Sequence, residues 1–179
     1  MKFFPAIDPA GVKTSEIIKM LKEHFDVDIF DEENLDKDFP APEHDIISWV
    51  KAEEEADENL KNKSTDDLEK EGIKRITLRQ RLMLEYIYFV ITGDHLDIEN
   101  ITLCSGSRSS DGGVPSVNWH SGDRRLYVDW CDPDDSRGAL RSRQQFNPFN
   151  LDSSKKDLLE KAEELIKKAE ELKQEAEKL

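Results

Sequence analysis

The spacing of apolar residues changes character along the chain, and each change marks a different kind of element. Lys2 to Ile7 reads as a short strand, closed by Pro5 and by the Asp8-Pro9 and Ala10-Gly11 breakers. Ile17, Ile18, Leu21 and Phe25 then share one helical face, with Thr14 or Ser15 as the cap. Val27 and Ile29, either side of Asp28, predict a short alternating strand, and Asp31 to Pro42 a loop stopped by Pro40 and Pro42. Glu43 to Lys61 is expected to begin as a helix, with Ile46, Ile47 and Val50 on one side. Its continuation, Glu53 to Glu58, reads as a solvated charge run.

Thr77-Leu78-Arg79-Gln80 fits a capping box, in which the Gln side chain reaches back to the cap. The helix it opens is apolar around much of its circumference, through Leu78, Leu82, Leu84, Tyr86, Ile87, Phe89 and Ile91, which predicts burial. Gly93 ends it as a C′ glycine. After Asn100 the period shortens. Ile101 to Cys104, Val114 to Trp119, Arg125 to Trp130 and Ala139 to Phe146 read as strands, with His120-Ser121-Gly122-Asp123 as a turn. Helices first and a β-rich half second predict an α+β fold.

The last segment is different again. Leu158, Ala162, Leu165, Ala169, Leu172, Ala176 and Leu179 recur at 4-3 spacing, a heptad stripe over 153–179. Such a helix suits packing or homo-oligomerisation, and its regularity favours an engineered fusion over a native arm. The expected organisation is a domain over 1–150 followed by this helix.

Composition narrows the class. A net charge of −14 disfavours nucleic acid and anionic membranes as partners, because phosphates demand Lys and Arg. No apolar run approaches membrane-spanning length, and Met1 to Pro5 is too short for a secretory signal. With only Cys104 and Cys131 no disulfide framework is legible, so a cytoplasmic address is expected.

Chemical motifs are sparse. Asp129, Asp132, Asp134 and Asp135 could supply oxygens to calcium, but lack a recognised loop spacing. His120 and Cys131 fall short of the three or four ligands that zinc needs. Ser105 lacks a nucleophile elbow, and no phosphate-binding glycine loop occurs. His44 and His95, on or beside helices, are expected to be solvated or capping. Arg124, Arg125, Arg137, Arg141 and Arg143 form a modest basic cluster, of which Arg141 and Arg143 suit internal pairs. The expectation is a non-enzymatic protein without cofactor or metal.

What stands out is the hairpin. Val117, Trp119, Leu126, Val128 and Trp130 alternate with Ser116, Asn118, His120, Tyr127, Asp129 and Cys131. The first set is expected inside and the second outside. The outward set shares neither propensity nor charge sign. From Asn100 to Arg143 there is no Lys, Glu, Gln or Met, although the rest of the chain is crowded with Lys and Glu. The outward types are all reachable from an AAC or AAT codon by changing adenines alone; Lys, Glu, Gln, Met and Trp are not. Strands and turns are poor in Lys and Glu in any protein, which accounts for part of this bias. It leaves unexplained the split between apolar inward positions and miscellaneous outward ones.

Leu103 to Arg108, Val114 to Trp119, Leu126 to Trp130 and Leu140 to Arg143 together resemble the variable region of proteins diversified by diversity-generating retroelements. The resemblance covers about 45 residues, against a chain of 179. It implies a C-type-lectin-like fold, whose first and last strands pair near Phe3-Phe4 and Phe146. It also implies a hypervariable surface that binds a protein ligand of unknown identity. Matched by pattern, that surface comprises Ser109, Ser110, Asp111, Ser116, Asn118, His120, Asp123, Arg124, Tyr127, Asp129, Cys131, Asp132, Asp134, Asp135 and Arg137. Alternatives are an acidic inhibitor mimicking nucleic-acid charge through a helix around Glu53 to Glu58, or an engineered self-assembling fusion.

Overall fold

The computed structural model describes residues 2–147. The heptad helix expected over 153–179 lies outside them. Within them the fold is mixed α+β. In chain order it runs β1 (Phe3–Asp8), α1 (Thr14–Lys22), β2 (Asp26–Ile29), α2 (Leu35–Asp38) and β3 (Ile46–Lys51). There follow a short 3-10 turn at Glu58–Leu60, α3 (Thr65–Lys70), α4 (Leu78–Thr92), β4 (Ile101–Leu103), β5 (Val114–His120), β6 (Arg125–Cys131) and β7 (Leu140–Arg141). The strands form a two-stranded β1-β3 sheet and a five-stranded sheet of order β2-β6-β5-β4-β7.

Several expectations hold. Thr77 and Gln80 form the capping box of α4, and Gly93 closes it in the left-handed region at φ 77°. β2 forms where Val27 and Ile29 predicted it. The β5-β6 hairpin turns between His120 and Arg125.

Others are corrected. Residues 46–51 form a strand, not a helix: β3 pairs antiparallel with β1 from Phe3↔Lys51 to Asp8↔Ile46. The Ile-Ile-Ser-Trp-Val run has the β-branched and aromatic content of a strand, and cross-sheet pairing overrode its helical spacing. Pro5 sits inside β1 opposite Trp49, tolerated because β1 is an edge strand. The first and last strands do not pair directly. Phe146 exchanges backbone hydrogen bonds with Trp49, and only its ring reaches Phe3, at 5.3 Å between centroids. The N-terminal part is not simply helical either, since β2 runs parallel to β6 at the edge of the larger sheet. Lys13, not Thr14 or Ser15, is the cap of α1. Thr14 is buried and accepts a hydrogen bond from Arg79, while the Ser15 hydroxyl donates to Asp36.

α1 and α2 pack on the inner face of the larger sheet. Ile17, Ile18, Leu21, Leu35 and Phe39 meet Leu78 and Leu82 of α4 and Val117, Trp119, Leu126 and Val128 of the hairpin. α4 is buried along its first half and exposed at Val90 and Ile91. A second cluster joins Ala6, Val50, Ile76, Leu84 and Leu96.

Charge locks these layers together. Arg143 donates to Asp97 Oδ1 at 2.6 Å and to the carbonyls of Glu53 and Glu54. Arg81 donates to Asp97 Oδ2 and to Glu85 Oε2, both at 2.8 Å. Arg79 reaches Asp8 Oδ1 at 2.7 Å. All six side chains are buried, so each ion is matched inside the protein. Burial by itself would raise the Asp97 carboxyl, but Arg143 and Arg81 hold it below the usual range.

The Glu53 to Glu58 run forms no α-helix; Glu53, Glu54 and Glu58 are exposed as expected, but the residues between them belong to this frame. Glu55 accepts from the backbone amides of Ile98, Glu99 and Asn100. Buried Asp57 accepts from the Gln144 amide. Neither residue presents the helical acidic face that the charge-mimic reading required. His95 also departs from a solvated role: its ring stacks on Trp119 at 3.3 Å and its Nδ1 lies 2.9 Å from Glu85.

Candidate binding face and cleft

The hairpin register sorts its residues onto two faces. Val117 opposes Val128 and Trp119 opposes Leu126 on the inner face; both pairs are buried. On the outer face Asn118 opposes Tyr127, Ser116 opposes Asp129 and His120 opposes Arg125. Opposed residues in an antiparallel pair project to the same side, so the alternation in sequence becomes a division in space.

Near the hairpin tip the outer face is open and polar. Tyr127 donates its hydroxyl to Asp123 Oδ2 at 2.8 Å, which holds that phenol above its ordinary range. The Asp123 amide donates to His120 Nδ1 at 3.1 Å, and the His120 ring stands edge-on to Tyr127. β2 extends this surface. Its parallel register sets Asp28 beside Tyr127 and Asp26 beside Arg125, and Arg125 bridges to Asp28 at 3.1 Å. Arg124, at the turn, takes a left-handed φ of 53° and is exposed.

Toward β4 and β7 the same face is closed. Cys131 packs with Val114, Leu103 and Leu140 in a third apolar cluster, and Ile101 lies against it. Three residues expected outside are therefore buried: Cys131, Ser116 and Ser109. The connection from β6 to β7 must cross β5 and β4, and the residues at its two ends, Cys131 and Leu140, give this half of the face a small core of its own. Burial pushes the Cys131 thiol up. The Ser109 hydroxyl is used internally, donating to Asp111 Oδ1 at 2.5 Å. That bond and the Gly113 amide hold the Asp111 carboxyl below its usual range.

At the end of β6 a cleft of about 630 Å³ opens between Phe30, the Asp111-Gly112-Gly113 loop, Trp130 and the loop through Asp132, Asp135 and Arg137. Trp130, expected in the core, is only half-buried and forms one wall. Gly113 makes room for it, since a β-carbon there would lie 2.7 Å from the indole Cδ1. Arg137 pairs with Asp135 at 2.8 Å.

The structure therefore brings the expected residues together in two places. Asn118, His120, Asp123 and Tyr127 share the hairpin face; Asp111, Cys131, Asp132, Asp135 and Arg137 line the cleft. Asp129 is exposed on the same sheet face, one pleat along from Tyr127. Ser110 and Asp134 are exposed on the flanking loops. Among the described residues, no group of three or more His, Cys, Asp or Glu side chains is arranged to hold a metal ion. The Ser105 hydroxyl is buried against that of Ser142 at 2.8 Å. No helix of the described residues is long and apolar enough to cross a membrane.

Sequence reasoning missed Phe30 and Asp28. The alternation of Asp26-Val27-Asp28-Ile29 already sends the aspartates to one side. What it lacks is any sign that β2 joins a strand about a hundred residues later. Comparison of the chain with family models, with characterised proteins and with solved structures found no match.

Proposed function

We propose that this chain is a non-enzymatic ligand-binding display protein, of the kind diversified by adenine-directed mutagenesis on a C-type-lectin-like scaffold. The observation that carries the reading is the division of the β5-β6 hairpin. Apolar positions on one side are locked into the core, whereas on the other side the residues toward the hairpin tip, Asn118, His120, Asp123 and Tyr127, are chemically miscellaneous and lie outside the buried clusters. A surface of that kind can change without unfolding its support. Tyr127 offers rigid amphipathic contact area, and Asn118, Asp129 and Arg137 offer adaptable hydrogen bonding, as in antibody loops. The expected partner is a protein, and the diversified positions are those exposed on the hairpin face and around the cleft.

The test is a panel of protein binders selected against the chain from a random library. Replacing Tyr127, Asp129 and Arg137 together by Ala is expected to abolish most of the binding while leaving the melting temperature nearly unchanged. Binders that ignore the triple variant would overturn the reading, as would a variant that unfolds. The native gene provides a second check: a near-copy of the region encoding Asn100 to Arg143 is expected nearby, differing only at adenines.

A further inference from the structure

The cleft has something that the hairpin face lacks: an aromatic wall ringed by carboxylates. Phe30 is 75% exposed, and its ring centre lies 6.1 Å from that of Trp130, inclined at 47°. A ring so exposed beside a cleft offers apolar area whose burial by a ligand would be favourable. Two ring faces also present negative quadrupoles. Around them stand Asp111, Asp132 and Asp135, against the single cation Arg137.

Candidate occupants can be sorted by what each would leave unsatisfied. A purely apolar group would cover the rings but strip water from the carboxylates without replacing it. An anion would meet like charge in a chain whose net charge is −14. A cation on an extended apolar stem satisfies both requirements, and a planar guanidinium does so best, because it stacks on rings and donates to carboxylates together. Asp111 is kept ready as an anion by Ser109 and Gly113. Asp135 is already engaged by Arg137, which is thus an internal competitor for the same acidic rim.

We propose that the cleft receives an arginine or lysine side chain from a basic segment of the protein partner. The cationic head lies against Phe30 and Trp130 and donates to Asp111 and Asp132. This rests on the display reading and deepens it by stating the chemistry of the partner.

The probe is acetyl-Gly-Arg-Gly-amide, titrated into the full chain while the Trp130 indole N–H is followed by NMR. The citrulline peptide, nearly the same shape without the charge, is the control. The arginine peptide is expected to shift the Trp130 signal and to bind about tenfold more tightly than the citrulline one. Phe30→Ala is expected to weaken it several-fold with no change in melting temperature, in line with an exposed cation–π contact. Arg137→Ala is expected to strengthen it, by releasing Asp135. Equal binding of the two peptides, an unmoved Trp130 signal, or weaker binding to Arg137→Ala would each overturn the inference. If the peptides leave the cleft untouched while selected binders still depend on Tyr127 and Asp129, this inference falls and the display reading stands. Binders that ignore that face as well would remove both.

Discussion

Arg143 and Arg125 are the same residue in opposite circumstances. The Arg143 side chain is 2% exposed and its donors meet Asp97, Thr102 and two backbone carbonyls. The Arg125 side chain is 39% exposed and leans toward Asp28 and Asp26 in open solvent. The first ties β4, the 53–54 segment and the C-terminal strand region into one frame. The second decorates that frame. In the buried network of Arg143, Asp97, Arg81 and Glu85 each charged group has a partner, and replacing one strands the others. On the open part of the hairpin face, near its tip, water can stand in for a partner removed. Substitution is tolerated best where water can replace the lost contact, so the two regions differ in how far they can change.

The sharpest way to break the comparison is to cut the buried network. Arg143→Met leaves Asp97 with one cation fewer and strips the Glu53 and Glu54 carbonyls of their donor. The expected loss is about 3–5 kcal/mol, the usual cost of breaking a buried pair. A lower urea midpoint with an unchanged slope would register it. Acid attacks the same point. The Asp97 carboxyl is held below the ordinary aspartate value of 3.8, so its contribution is complete above that value and is lost as pH falls below it. Asp97→Asn is expected to be less stable at neutral pH and to show a flatter stability profile in that acid range. A parallel profile would show that other carboxylates govern acid unfolding.

Where frame and surface meet, Gly113 offers an intermediate effect. A methyl group there would press on the Trp130 ring at 2.7 Å and on the Ser109 hydroxyl at 3.0 Å. Neither neighbour moves cheaply, since the indole is stiff and the hydroxyl is already bonded to Asp111. Gly113→Ala is expected to cost about 1–3 kcal/mol as overpacking and to shift the Trp130 fluorescence. A neutral result would mean that the wall of the cleft is softer than its contacts suggest.

How far this division could be read in the sequence differs between its two halves. Period-two alternation gave the inward and outward sides of β5 and β6, because a strand enforces it locally. The capping box and Gly93 fixed α4 for the same reason. What escaped depended on distant partners. Ile46 and Ile47 follow a helical spacing, yet β1 recruits them into a strand. Cys131 alternates outward, yet the crossing segment after it buries it with Val114 and Leu140. Nothing local in the sequence pairs Arg79 or Arg81, and only the fold supplies Asp8 and Asp97. Phe30 carries no pattern at all; its place beside Trp130 follows from the β2-β6 pairing.

The smallest effect is the one that most directly measures the comparison. Arg125 and Asp28 form an ion pair at 3.1 Å, similar in geometry to the buried pairs but half in water. A double-mutant cycle with Arg125→Ala and Asp28→Ala is expected to give a coupling of about 0.2–1 kcal/mol, the range for exposed pairs. Raising the salt concentration to about 1 M should reduce it further, since the screening length then falls to about 3 Å. The matching cycle with Arg143→Met and Asp97→Asn should return a much larger coupling that salt barely changes. If the surface pair coupled as strongly as the buried one, Arg125 and Asp28 would belong to the frame. The open face would then lose a fixed strip along β2 and be reduced to the hairpin tip and the cleft.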